Sequence, residues 1–211
     1  MAEQTDDEQI EQLKTWWRNY GNYLLTGVAV GLLLLFGWRY YQQTQERQAI
    51  QASEYYQQLL NAIDEKDDEA AESLMATLTE DYAATPYAAL ASLWAAKRAA
   101  DAGESDGARS ALQWVIDRGQ PEEIRAVARI RLARLLSADN QFDAALALLE
   151  EDELPASYLA QISELRGDIY VASGEASRAR EAYQAALLAA DSQRRVLIEM
   201  KLNSLVEGAA E

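Results

Sequence analysis

The sequence contains no cysteine and no histidine. Thiol catalysis, disulfide bonds, Ser-His-Asp and Cys-His catalytic sites, and the usual zinc and haem ligands are therefore excluded. Only three of the 211 residues are proline and ten are glycine, while 49% are hydrophobic. A chain with so few breakers and so much apolar sequence is not disordered throughout. Ala, Leu, Glu, Gln and Arg predominate, and this composition favours helices.

Positive charge is also scarce. The chain has 19 Lys and Arg against 35 Asp and Glu, which gives a formal net charge of −16. Such a chain repels phosphate backbones, so the composition predicts no binding to nucleic acid.

Acidic residues are abundant but unorganised. The paired carboxylates lie at predicted helix starts or in polar turns, where they favour the helix dipole and solvation. The sequence has neither a Ca²⁺-binding loop pattern nor a glycine-rich phosphate loop. We therefore expect no enzyme, no catalytic residues, no metal and no cofactor; a hydrolase that uses carboxylates is the alternative.

One segment near the start has the length of a membrane helix. Residues 19–38 carry no charge, and Arg18 and Arg39 bracket them. A helix of twenty residues is about 30 Å long, which matches the hydrocarbon core of a bilayer. Aromatic residues lie at both ends, as in an interfacial belt: Trp16, Trp17, Tyr20, Tyr23, Trp38, Tyr40 and Tyr41. The pattern predicts a short tail at 1–18 and an uncleaved transmembrane helix at 19–41, because no small-x-small cleavage site follows the apolar run.

Two details of this segment leave alternatives open. Gly27 and Gly31 form a G-x-x-x-G pair, which is either a contact with another membrane helix or a chance spacing of small residues. Lys14 and Arg18 on one flank balance Arg39 and Arg47 on the other, so the charge pattern favours neither orientation.

The remaining sequence, 42–211, repeats itself. Asn140 and Gly174 interrupt apolar-periodic stretches and are 34 residues apart, which is the tetratricopeptide period, and Gly103 lies 37 residues before Asn140. Small residues recur where two helices of a hairpin would touch, and large residues recur where units would stack. The small residues are Ala133, Ala145, Gly167 and Ala179, and the large ones are Phe142, Leu149, Tyr170 and Tyr183. The sequence thus predicts an all-α chain with a tetratricopeptide-like domain at 42–211; an ordinary helical bundle is the alternative.

A stack of helical hairpins presents a concave face made by the first helix of each unit. The repeat register places a mixture of apolar and charged side chains on this face, as a peptide groove requires: Leu90, Leu93, Lys97, Val127, Ile130, Arg134, Glu164 and Asp168. We expect these residues to bind a partner, although the same register could bury them between helices.

Several separated motifs resemble one known family. They are Trp16–Gly21, Gly37–Tyr41, Tyr87–Leu93, Ile130–Arg134, Glu164–Asp168 and Met200–Asn203. Together with the acidic tail, they resemble the YfgM family of ancillary subunits of the bacterial SecYEG translocon, and the resemblance runs the length of the chain.

The resemblance implies a single-pass inner-membrane protein with a cytoplasmic N-terminus and a periplasmic repeat domain. It also implies association with SecYEG and with a PpiD-like periplasmic chaperone, in support of exported polypeptides that leave the channel. A link to envelope stress signalling is implied as well. The alternative function is therefore a membrane-anchored tetratricopeptide scaffold or a regulator of that signalling.

Overall fold

The computed structural model of the chain describes residues 3–150 and 154–207. Its α-helices are α1 (Glu3–Glu65), α2 (Asp68–Asp81), α3 (Pro86–Asp101), α4 (Ser105–Arg118), α5 (Glu122–Ala138), α6 (Phe142–Ala147), α7 (Leu159–Ala172), α8 (Ala176–Ala189) and α9 (Ser192–Glu207). A short 3₁₀ helix, Ala156–Tyr158, precedes α7. No β-strand occurs in these two ranges, so the described chain is all-α as predicted.

The chain divides into two compact units, Met1–Gln48 and Ala49–Glu211. The first unit contains the N-terminal part of α1. Its large apolar side chains are exposed in the single chain, among them Leu33, Leu34, Leu35 and Phe36.

Within residues 3–150 and 154–207, no helix combines the length and the apolar character needed to cross a membrane. The transmembrane helix predicted at 19–41 therefore stays a prediction. The side chains of Asn22 and Leu24, which belong to the predicted segment, lie outside the described set.

The second unit is a series of helical hairpins. The last part of α1 packs on α2 through Leu59, Ala62, Met75 and Leu78, with Ala91 of α3 in the same apolar cluster. The further hairpins are α3 with α4, α5 with α6, and α7 with α8, and α9 packs on α8. The region 49–85, in which the sequence shows no clear repeat, is thus also a hairpin.

The hairpin turns share one geometry. A residue one or two positions after the end of the first helix has a positive φ, and its left-handed backbone reverses the chain: Lys66 (59°), Gly103 (77°), Asn140 (60°) and Gly174 (82°). The next residue donates its N–H to a carbonyl five residues earlier, at 2.7 to 2.9 Å, in the pairs Asp67–Ala62, Glu104–Ala99, Gln141–Leu136 and Glu175–Tyr170. These hydrogen bonds define Schellman motifs, and the same motif recurs at the turn of each of the four hairpins.

The small residues of the register are buried where paired helices meet. Ala133, Ala145 and Ala179 have no exposed surface, and Gly167 is buried. Small side chains at these positions allow the helices to approach closely, so the larger apolar residues interlock around them. The main cluster extends from α3 to α7 and includes Leu112, Ile130, Leu149 and Ile169.

Candidate partner-binding site

A cavity of about 500 Å³ opens between α3 and α5, with α4 beneath it. We call it the α3–α5 groove. Its lining comprises Ala96, Lys97 and Ala100 of α3, Ala108 and Leu112 of α4, and Arg131, Arg134 and Leu135 of α5.

The groove exists because three of the residues that line it are alanines with small side chains. Ala96 and Ala100 are one helical turn apart on α3, and Ala108 faces them from α4. Ala96 and Ala108 are buried, so their methyl groups form the floor, and larger side chains there would fill the space. Leu112 and Leu135 complete an apolar wall.

Three cations surround this apolar floor. Lys97 forms an ion pair with Asp101, one turn along α3, and about two thirds of both side chains is exposed. Arg131 and Arg134 are exposed one turn apart on α5. Within residues 3–150 and 154–207, no carboxylate lies within ion-pair distance of either guanidinium. The rim of the groove is therefore positive, in a chain whose net charge is −16.

The structure brings only two of the predicted groove residues to this cavity, Lys97 and Arg134. Leu93 and Ile130 are 7% and 2% exposed and belong to the main apolar cluster. Their side chains pack in the core and do not line the groove, so their role in partner binding stays a prediction. Leu90 and Val127 are half-buried, and Val127 packs against that cluster.

Glu164 and Asp168, also predicted for the groove, form an ionic cluster with α9. Lys201 Nζ donates to Glu164 Oε1 at 2.8 Å and to Asp168 Oδ1 and Oδ2 at 2.7 and 2.8 Å. Arg194 Nη1 donates to Glu164 Oε2 at 2.8 Å. Both carboxylates are thus engaged within the chain and link α9 to α7, and their role in partner binding stays a prediction.

The electrostatics of this cluster follow from burial and pairing. Burial raises the pKa of Glu164, but the hydrogen bonds from Lys201 and Arg194 outweigh it, so the net pKa is lowered from 4.5. Burial lowers the pKa of Lys201, but hydrogen bonds to Asp168 and Glu164 outweigh it, so the net pKa is raised. Burial, followed by the hydrogen bond to Asp168, raises the pKa of Tyr183. All these groups keep their usual charge states at neutral pH.

Sequence reasoning missed most of the α3–α5 groove. Arg131 and Leu135 lie on the same helical face as Arg134, so the spacing of α5 could have identified them. Ala108 and Leu112 lie on the second helix of their hairpin. The repeat register did not identify them, because the predicted concave face included only residues of first helices.

A second cavity, of about 550 Å³, lies between α4 and α5. Its polar lining includes Arg109, Asp117 and Arg118. Arg109 is already paired with Asp139 at the end of α5, so this cation contributes to folding. Among the described residues, the exposed arginines of the α3–α5 groove have no such pairing.

The remaining predictions concern the first unit and chemistry. A Cβ built on Gly27 or Gly31 meets no atom within 4 Å, so both glycines face open space in the single chain. In the described residues, no group of three or more acidic side chains could hold a metal ion.

Comparison with known proteins agrees with this architecture. A family model described as a tetratricopeptide repeat-like domain matches residues 14–207. A Haemophilus influenzae protein is 31% identical over 200 residues, which cover 95% of this chain and 97% of the relative. An Escherichia coli relative is 30% identical over 96% of this chain and 97% of its own length. A Neisseria gonorrhoeae relative is 31% identical over 95% of this chain and 97% of its own length. All three bear the name ancillary SecYEG translocon subunit.

Proposed function

The chain belongs to the YfgM family of ancillary SecYEG translocon subunits, with a tetratricopeptide repeat-like fold, and on this premise we propose that it is an ancillary subunit of a bacterial SecYEG translocon. One observation carries the proposal. The similarity covers at least 95% of this chain and 97% of each relative, so it includes the N-terminal segment as well as the repeats.

The repeat unit acts, in this proposal, by binding proteins. It holds a PpiD-like periplasmic chaperone near the channel and assists exported polypeptides as they leave it. The α3–α5 groove supports this role because it is open and apolar with exposed cations at its rim. Its lining has no nucleophile with an adjacent base, which favours a non-enzymatic role.

The proposal assigns residues 19–41 to a transmembrane helix, with 1–18 in the cytoplasm and 42–211 in the periplasm. The exposed apolar residues of α1 support the anchor. Leu33 and Phe36 expose 74% and 69% of their surface, and lipid is the natural covering for large side chains that no protein group covers. Trp38 and Tyr41 follow as ring neighbours, 6.4 Å between centroids, where an interface would hold them.

Affinity purification tests the proposed function. The full-length chain, tagged at its C-terminus, is expressed at its natural level, and the membranes are solubilised in mild detergent. We expect recovery of SecY and of a PpiD-like chaperone, with an unrelated tagged single-span protein as the control. Recovery of an envelope stress regulator without SecY would support the alternative scaffold instead, and absence of SecY would contradict the proposal.

Protease accessibility tests the topology. Protease added to intact spheroplasts should digest the repeat unit, because the proposal places it outside the membrane. A cytoplasmic marker protein must survive in the same sample. If the repeat unit is protected as well as the marker, the proposed orientation is wrong.

A further inference from the structure

We infer that the α3–α5 groove binds an extended peptide segment in which an apolar side chain is flanked by carboxylates. This inference deepens the proposed function, on which it rests for the assignment of the groove to partner binding. It adds the chemical class of the segment that the groove accepts.

The size of the groove indicates a peptide side chain as its occupant. Its volume is about 500 Å³, within the roughly 300–1,000 Å³ range of small-ligand pockets. This is room for one or two large side chains and too little for a folded domain. The floor of Ala96, Ala108 and Leu112 has no charged group, so an apolar side chain fits there with a gain from burial.

The rim of the groove indicates the charge of the occupant. Arg131 and Arg134 present two exposed guanidinium groups beside the apolar floor. A guanidinium binds a carboxylate through two parallel hydrogen bonds, which gives both attraction and orientation. Lys97 can join them, because its exposed ion pair with Asp101 is of the kind that contributes little to stability.

The charge of the rest of the chain narrows the choice of occupant. Its net charge of −16 repels long polyanions such as nucleic acid, and it also opposes the approach of a second copy. A short segment with a few carboxylates is attracted to the positive rim of the groove, and the rest of the chain repels it less than it repels a long polyanion or a second copy. Charge complementarity therefore favours an acidic peptide segment over these alternatives.

The test uses the full-length chain in mild detergent and two fluorescent eight-residue peptides, amidated at the C-terminus. The acidic probe is Gly-Glu-Glu-Leu-Phe-Glu-Glu-Gly, and the basic probe replaces every Glu by Lys. Fluorescence anisotropy should show binding of the acidic probe at least about tenfold tighter than that of the basic probe, as charge selection requires. Equal binding of the two probes would overturn the inference.

Two groove variants separate charge from shape. The double variant Arg131→Glu and Arg134→Glu should weaken binding of the acidic probe about tenfold or more by charge repulsion, with an unchanged melting temperature because both side chains are exposed. Ala100→Trp fills the groove without any change of charge and should also weaken binding. If Ala100→Trp binds the probe normally, the groove is not the site.

A matched control excludes a general charge effect. The double variant Arg180→Glu and Arg195→Glu makes the same charge change at exposed positions on α8 and α9. It should bind the acidic probe like the unmodified chain; an equal loss would mean that only net charge matters, which overturns the inference. Sedimentation of the unmodified chain tests a second copy as occupant, and a dimer that the Arg131 and Arg134 changes dissociate would also overturn it.

Recovery of SecY with the groove variants keeps this inference distinct from the proposed function. If the acidic probe fails to bind while the chain still recovers SecY, the inference alone is wrong. If the unmodified chain recovers no SecY, the proposed function fails as well.

Discussion

Gly167 on α7 lies directly against the ring of Tyr183 on α8. A Cβ at position 167 would be 2.4 Å from Cε1 and 2.5 Å from Cδ1 of that ring, distances that non-bonded carbon atoms do not reach. The absence of a side chain thus lets α7 and α8 close. Tyr183 is 3% exposed, and its hydroxyl donates to Asp168 Oδ1 at 2.7 Å. One glycine therefore positions the ring that connects the last hairpin to the ionic cluster of α9.

Replacement of Gly167 should destabilise the repeat unit. Gly167→Ala forces a methyl group into the Tyr183 ring, and overpacking of this kind costs about 1–3 kcal/mol; Gly167→Leu should cost more. Because repeats stabilise their neighbours, the loss should lower the melting midpoint of the whole unit. Urea unfolding monitored by far-UV circular dichroism measures the change.

The matched control for this change is Gly107→Ala on α4. There the new Cβ would meet Ala99 Cβ at 3.4 Å, which is ordinary contact. The change should stabilise the unit by up to about 1 kcal/mol through helix propensity. If Gly167→Ala lowers the free energy of unfolding no more than Gly107→Ala does, the close contact assigned to α7 and α8 is contradicted.

The hairpin turns predict two opposite substitution effects. Lys66 has φ 59°, a left-handed conformation that costs a non-glycine residue roughly 1 kcal/mol. Lys66→Gly should therefore stabilise the unit by about 0.5–1 kcal/mol. Gly174→Ala, at φ 82°, should destabilise it by a similar amount. Differential scanning calorimetry of the two variants gives the signs, and the same sign for both would contradict the shared turn geometry.

The α9 cluster predicts a pH-dependent contribution to stability. The folded-state pKa of Glu164 is lowered from 4.5, so its contribution is present above about pH 4.5 and is lost as the pH falls through the folded value. Glu164→Gln removes hydrogen bonds between charged groups and should cost roughly 1–3 kcal/mol at pH 7. The stability difference from the unmodified chain should shrink towards pH 3, as urea titrations at several pH values would show.

The control for the α9 cluster is Glu199→Gln, an exposed position on the same helix. It should change the free energy of unfolding by no more than about 0.5 kcal/mol at any of these pH values. A difference between Glu164→Gln and the unmodified chain that does not vary with pH would contradict the role assigned to this carboxylate.

The proposed anchor predicts membrane retention. After carbonate washing, the chain should remain in the membrane pellet at its full, uncleaved length. Leu33→Arg with Leu34→Arg should release it, because each arginine near the bilayer centre costs about 2.5–3.5 kcal/mol. Tyr40→Arg with Tyr41→Arg, at the edge of the predicted segment, should not. Recovery of a soluble form that starts near Arg39 would contradict the anchor.

The turns show how far the fold could be predicted from the sequence. Gly103, Asn140 and Gly174 are residue types that accept a positive φ, and the 34-residue spacing identified the last two as equivalent. Lys66 adopts the same conformation, but lysine is not a turn residue by type. The first hairpin was therefore not predicted from the sequence.

The candidate site was harder to predict because it depends on which helix face points inward. A register of helix starts places Leu93 and Lys97 together as neighbours one turn apart, yet Leu93 is 7% exposed and lies in the core while Lys97 lines the groove. A small rotation about the axis of α3 therefore separates a side chain in the core from one that lines the groove. The ionic cluster of Glu164 and Asp168 could not be predicted for another reason, since the pairing with Lys201 joins residues 37 and 33 positions apart.

Site-specific photocrosslinking in living cells tests the central claim most directly. A photoreactive amino acid replaces Ala100 in the α3–α5 groove, and a second strain carries it at Gln184, an exposed position on α8. We expect crosslinks from Ala100 to a periplasmic chaperone or an exported polypeptide in complexes that contain SecY, and few from Gln184. Crosslinks of equal strength from both positions, or complexes from Ala100 that lack SecY, would contradict it.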